Sequence, residues 1–232
     1  AEKYSERVEE CIREKSAVMY LDEYRLERNS FLAALRPAVD SLLKFIEENA
    51  LMVIGMEHTI DTVFPVIGAF TGSIDLLLAD ADGNLVIVDM KWNEGKTYNR
   101  RLEKGNTLQL ALYRKAMETD GHKVVCEGYF VLPQRKFLTS VDYLQPSDIV
   151  EIIEGEQFGD HFELACNSYE YRMEQIEHGI IEEAEGFSLA DIQYHQDANS
   201  RKLYPLERAY EDDTTKGSPY GTPNLILKGG LA

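Results

Sequence analysis

Cysteine is scarce in this chain. Its three residues, Cys11, Cys126 and Cys166, are an odd number at wide spacings with no Cys-x-x-Cys pair. That pattern removes the basis for a disulfide framework, a cysteine-built zinc site or a dithiol redox motif. Reduced thiols are expected, with Cys126 as core filling. Long apolar runs are missing too. No stretch approaches the roughly 18 residues of a bilayer-spanning helix, and the first residues are charged where a signal peptide is apolar. The expectation is a soluble intracellular protein, cytoplasmic, with no membrane partner. Positive charge is also short, with 24 Lys and Arg against 41 Asp and Glu and a formal net charge of -17. A chain so acidic on average is a poor match for nucleic acid, whose binding rests on neutralising phosphates with cations.

What is present qualifies that average. From Ser147 to Glu185 twelve acids face one base, Arg172, whereas Lys91 to Lys115 holds seven bases and two acids. The acidic segment reads as a solvated helical surface, and the second is a local basic patch. A content of 44% hydrophobic, 10% aromatic and 28% charged residues in 232 is that of an ordinary globular chain able to bury one substantial core. A single domain over 1–232 is expected, with helices in 1–50, a core in 51–132 and a helical and irregular extension in 133–232.

Helical spacing predicts helices over 3–15 and 22–49. The second rests on the stripe Leu35, Val39, Leu42, Leu43 and Ile46, with a kink or a fresh first turn at Pro37. After Asn49 the pattern turns to β-rich runs, 51–62, 66–79 and 85–91. Asp82-Gly83-Asn84 between the last two is a hairpin signal because glycine accepts positive φ, so an antiparallel meander is expected. Residues 105–119 return to helical spacing, and 124–132 read as a buried strand ended by Pro133. A strand, helix, strand succession of that length suits a right-handed crossover, which makes the last strand parallel to a predecessor. The fold class is therefore α/β, a mixed central sheet flanked by helices. Residues 146–185 read as helix interrupted at Gly155 and Gly159, and the chain beyond Asp191 as irregular.

The chemistry concentrates in Gly72-Ser-Ile-Asp75 and Asn84-Leu-Val-Ile-Val-Asp89-Met-Lys91. Residues 85–88 are apolar throughout, as in a strand covered on both faces, and the run then ends in Asp-x-Lys. Charges at the end of a buried strand are costly unless they face a cavity and find partners. Period-two geometry puts Asp89 and Lys91 on one side and Met90 on the other. Asp75, on the preceding strand of the hairpin, comes beside Asp89. Two carboxylates at that range repel and require a cation, and oxygen ligands without Cys or His favour Mg2+ or Mn2+. Glu57, one strand earlier, is a candidate third acid. A cation held by acids beside one ammonium suits phosphodiester hydrolysis. The ion neutralises the scissile phosphate and acidifies water, while Lys91 positions that water and stabilises developing charge. Arg100, Arg101 and Lys104 are the candidate phosphate contacts, and Trp92 is a candidate for stacking on a base.

These segments, with Gln109-Leu-Ala-Leu-Tyr113 after them, resemble the three successive motifs of RecB-like PD-(D/E)XK nucleases, the branch that includes CRISPR-associated exonucleases. The resemblance spans residues 51–132. It implies that Asp75 and Asp89 are metal ligands, that the Met90 backbone carbonyl is another, and that Lys91 is the catalytic lysine. Gln109 and Tyr113, four apart on one helical face, are implied to orient the lysine region and the nucleic-acid backbone. Family members usually complete the metal shell with a His or Glu from an N-terminal helix, for which Glu10 and Glu9 are candidates. Some relatives hold an iron–sulfur cluster through C-terminal cysteines; none follows Cys166 here, so no cluster is expected. Met90 and Trp92 stand where Tyr and Thr are often found. The implied activity is that of a Mg2+- or Mn2+-dependent DNase, exonucleolytic on single strands or duplex ends, in recombination, repair or phage and CRISPR-type processing, with a helicase or recombination partner domain. The rival reading is a catalytically silent nucleic-acid-binding or scaffolding module, against which the intact Asp75, Asp89 and Lys91 argue. A second rival is an enzyme of the same fold that acts on RNA or a different phosphodiester.

Overall fold

The computed structural model describes residues 2–92, 95–103, 105, 107–155, 161–180, 195–196 and 202–203. The chain divides into two compact units, Ala1–Phe64 with Ala69–Gly159, and Pro65–Gly68 with Asp160–Ala232. The first opens with α1 (Glu2–Lys15) and two tight 3-10 turns, Ala17–Tyr20 and Asp22–Tyr24, ahead of α2 (Arg25–Glu48). α2 runs through Pro37 as one helix, with no fresh first turn there. A proline there removes one helical hydrogen bond, but Ala38 and Phe45, buried beyond it, anchor the following turns. The helix also begins later than residue 22, because Asp22–Tyr24 are wound more tightly.

Six strands form one sheet in the order β1 (Met52–Phe64), β2 (Gly68–Ala79), β3 (Leu85–Lys91), β4 (Val124–Val131), β5 (Lys136–Thr139) and β6 (Val150–Ile152). β2 and β3 are antiparallel across the expected turn. Gly83 has φ +81, and Asp80 Oδ1 accepts from the N–H groups of Asp82 and Asn84 at 2.9 Å each. β3 and β4 are parallel, and α3 (Lys96–Glu103) and α4 (Leu108–Thr119) lie in the crossover between them. β4 with β5 is antiparallel and β5 with β6 parallel, so the sheet is mixed and the α/β class holds.

Period-two alternation along β4 sorts the core into two layers. Cys126 and Phe130 join Phe45, Leu76, Val86 and Val88 on the α2 side. Tyr129 and Val131 join Tyr98, Leu102 and Leu110 on the α3 and α4 side. Cys126 is core filling, and burial pushes its thiol up to about 12.

Three elements depart from expectation. Lys96–Glu103 is a helix that turns only Tyr98 and Leu102 inward, too few positions to establish a period. β5 and β6 are four and three residues long. Residues 150–152 had been expected in a helix and instead pair in parallel with β5. Ser147 Oγ accepts from the N–H groups of Ile149 and Val150 at 3.1 and 3.0 Å. A helix N-cap makes the same bonds, so the local signal serves either outcome.

In the second unit α5 (His161–Glu177) buries Leu164, Ala165 and Gln175. A short antiparallel pair, β7 (His195–Gln196) and β8 (Lys202–Leu203), contributes the buried Leu203, and β8 packs on α5. The rest of the chain beyond Asp191 lies outside the described residues.

Candidate active site

The register of β2 on β3 runs from Ala79↔Leu85 to Leu76↔Val88. One step further, Asp75 stands opposite Asp89. The backbone rung is replaced there by a side chain, since the Met90 N–H donates to Asp75 Oδ2 at 2.7 Å. Met90, Val88 and Val86 thus direct their N–H groups toward β2, which makes the Asp75/Asp89 step a non-hydrogen-bonded pair, the kind whose side chains approach most closely. Asp89 is 1% exposed. Lys91 Nζ forms an ion pair with its Oδ2 at 2.5 Å, and this buried oxygen accepts from no other group. Burial pushes the Asp89 carboxyl above the usual carboxylate range and the charge of Asp75 pushes it further, while Lys91 opposes both.

α4 closes over the lysine. Lys91 Nζ donates to Gln109 Oε1 at 3.5 Å, and Gln109 Nε2 donates to the Tyr113 hydroxyl at 3.0 Å. Gly72, the first residue of Gly-x-x-Asp, makes room for that tyrosine. A Cβ there would stand 3.1 Å from Tyr113 Cε1 and 3.2 Å from Phe70 Cζ. The Gly-x-x-Asp and Gln-x-x-x-Tyr motifs therefore touch. Beneath them lies Tyr129, the register partner of Asp89 on β4. Its ring is 4.9 Å from that of Tyr98, and Lys91 Nζ is 6.0 Å from its centroid. Burial, with Asp89 adding to it, raises the Tyr129 hydroxyl. Sequence reasoning missed Tyr129; pairing 124–131 in parallel with 85–91 would have found it.

The site therefore unites Gly-x-x-Asp, Asp-x-Lys and Gln-x-x-x-Tyr at the carboxyl end of β3. The family model of the PD-(D/E)XK nuclease superfamily matches residues 1–198. The chain belongs to the PD-(D/E)XK nuclease superfamily. No curated protein matches it. PD-(D/E)XK membership implies a nucleic-acid substrate and, in general, a divalent metal such as Mg2+. No helix among the described residues is long and apolar enough to cross a membrane. The donors of this PD-(D/E)XK centre fit a hard ion, because they are oxygens and the buried Asp89 Oδ2 accepts from no group besides Lys91.

The other residues expected at the PD-(D/E)XK site have contacts of their own. Among the described residues no group of three or more His, Cys, Asp and Glu could hold an ion. Glu57 is exposed and accepts from Ser73 Oγ at 3.2 Å. Its φ of +49 marks an irregularity in β1. A Cβ on Gly55 would meet His58 Nδ1 at 3.4 Å, so residues three apart share a side and strict alternation fails there. Glu10 is ion-paired with Arg7, and Glu9 accepts from the Tyr20 hydroxyl. Trp92 is 39% exposed and packs on Phe31 of α2 with ring centroids 4.8 Å apart. Arg100 and Arg101 are exposed on α3, with the Arg101 guanidinium 5.8 Å from the Tyr98 ring. Lys104 lies outside the described residues.

Proposed function

We propose that this chain is a Mg2+- or Mn2+-dependent deoxyribonuclease of the RecB-like branch, acting as an exonuclease on single strands or duplex ends in recombination, repair or phage and CRISPR-type processing. The observation that carries the reading is Asp89, a buried carboxylate whose Oδ2 has Lys91 Nζ as its one partner and which stands across the strand pair from Asp75. A desolvated acid of this kind is unfavourable for a fold alone, which favours an enzyme over a silent binding module. Asp75, Asp89 and the Met90 carbonyl would hold the cation. An extended residue directs its N–H and C=O to the same side of the strand. The Met90 N–H reaches Asp75, so its carbonyl leans into the same opening, beyond the last paired step of β2 and β3.

Bound there, a divalent cation supplies Lewis acidity to the scissile phosphate and acidifies water. Lys91, held by Asp89 and Gln109, offers its remaining N–H donors to the phosphate oxygen on which charge develops. Gln109 and Tyr113 keep that lysine in place from α4. Arg100 and Arg101, exposed beside the site, contact neighbouring phosphates and locally offset a net charge of -17.

The test is incubation of end-labelled single-stranded and duplex DNA, and RNA in parallel, with Mg2+, Mn2+ or chelator. Metal-dependent loss of DNA is expected, abolished by chelator and reduced at least about 100-fold in K91A, with Mn2+ binding retained. Intact DNA in both metals, or undiminished cleavage by K91A, overturns the reading.

A further inference from the structure

Arg114, next in sequence to Tyr113, makes a three-way contact that the chemistry of the site does not require. Its Nη1 donates to the Val124 carbonyl at 2.6 Å and lies 3.4 Å from Glu118 Oε1, and its Nη2 is ion-paired with Glu127. Val124 opens β4 and Glu127 follows within it, whereas Glu118 is one turn further along α4. The Arg114 and Glu127 side chains are 27% and 18% exposed. A pair this far out of water adds little stability over apolar residues of the same size, so its geometry is the informative property.

α4 otherwise rests on the sheet through Leu110, Tyr113, Ala116 and Met117. Apolar contacts are non-directional and allow a helix to roll. A guanidinium fork on a backbone carbonyl and a carboxylate does not. Five residues earlier, Gln109 Oε1 meets Lys91 Nζ at 3.5 Å, the outer limit of a hydrogen bond. Rolling α4 by about 20° displaces its Cα atoms by about 0.8 Å on their 2.3 Å cylinder, enough to break that bond. We propose that Arg114, through its fork on Val124 and Glu127, is a positioning residue that sets the roll of α4 so that Gln109 holds Lys91. This rests on the nuclease reading above.

A double-mutant cycle tests it. Replacing the pair together, R114M/E127M, strands no buried charge. On end-labelled single-stranded DNA, kcat is expected to fall about tenfold with KM within about twofold. In the Q109A background the same replacement lowers kcat less than about twofold, because the interaction it supports is already gone. E127Q, which still accepts from Arg114, keeps kcat within about threefold. Should R114M/E127M not fold, R114K takes its place in the cycle, since it keeps the charge and loses the fork. Multiplicative losses in the combined variant, full kcat in R114M/E127M, or an E127Q as impaired as the pair variant overturns the positioning role and leaves the nuclease intact. A wild-type protein without metal-dependent cleavage overturns both.

Discussion

Asp89→Asn should make the metal-free protein more stable while abolishing cleavage. Asp89 is 1% exposed, and its carboxyl is raised chiefly by burial, even with Lys91 Nζ at 2.5 Å. The ion pair therefore does not make up for desolvation. Asparagine keeps the shape and removes the charge. Lys91 is not stranded by the change, because its side chain is 22% exposed and Gln109 Oε1 remains 3.5 Å away. Exchanging such a group for a neutral isostere is worth about 1 kcal/mol, which for a chain of this size raises Tm by roughly 3 °C. The sign with pH follows from linkage. A carboxyl whose folded pKa is raised supports the fold while protonated, and that support is lost as pH rises through the folded value. The gap between D89N and wild type should thus be small near the ordinary carboxylate pKa of about 4 and widen toward about pH 8. Calorimetry or dye-monitored melting in chelator across that range measures it. Added Mg2+ should reverse the order by stabilising only the wild type. A D89N protein that melts below wild type in chelator near pH 8, or a gap that does not change with pH, would refute the reasoning.

Phe45→Ala should cost about 3–5 kcal/mol in urea unfolding, since Phe45 is fully buried with ring centroids 4.8 Å from Phe137 and 6.2 Å from Phe130. Gly72→Val should cost about 1–3 kcal/mol in the same measurement, because the new Cβ alone would meet Tyr113 Cε1 at 3.1 Å; an unchanged midpoint would mean that the tyrosine yields freely. Tyr143→Phe should raise the Asp80 carboxyl from about 2 toward its ordinary 3.8, followed by side-chain NMR titration, since the Tyr143 hydroxyl is the largest cause of its depression. With a lowered folded pKa, the support Asp80 gives the turn is present above the ordinary value and lost as pH falls through about 2.

Much of the centre of this molecule could be read from the chain alone. Leu85 to Val88 followed by Asp89 and Lys91 announce a buried strand with a charged end, and Asp82-Gly83 announces the turn that brings Asp75 opposite. Both signals are local, and the parallel return of β4 follows from the chirality of crossovers. Short elements were less legible. α3 shows one inward pair, Tyr98 and Leu102, and β6 is preceded by Ser147, whose bonds would equally start a helix. The Tyr129 side chain under Lys91 and the Arg114 fork depend on register and helix roll, which no short-range pattern encodes.

The position of Trp92 has a practical corollary. It is the only tryptophan in the chain, one residue past Lys91 and in contact with Phe31. Its ultraviolet emission is therefore an intrinsic, label-free gauge of the carboxyl end of β3. Cation titrations, oligonucleotide titrations and stopped-flow mixing can all be followed at that one spot, with no dye and no engineered probe.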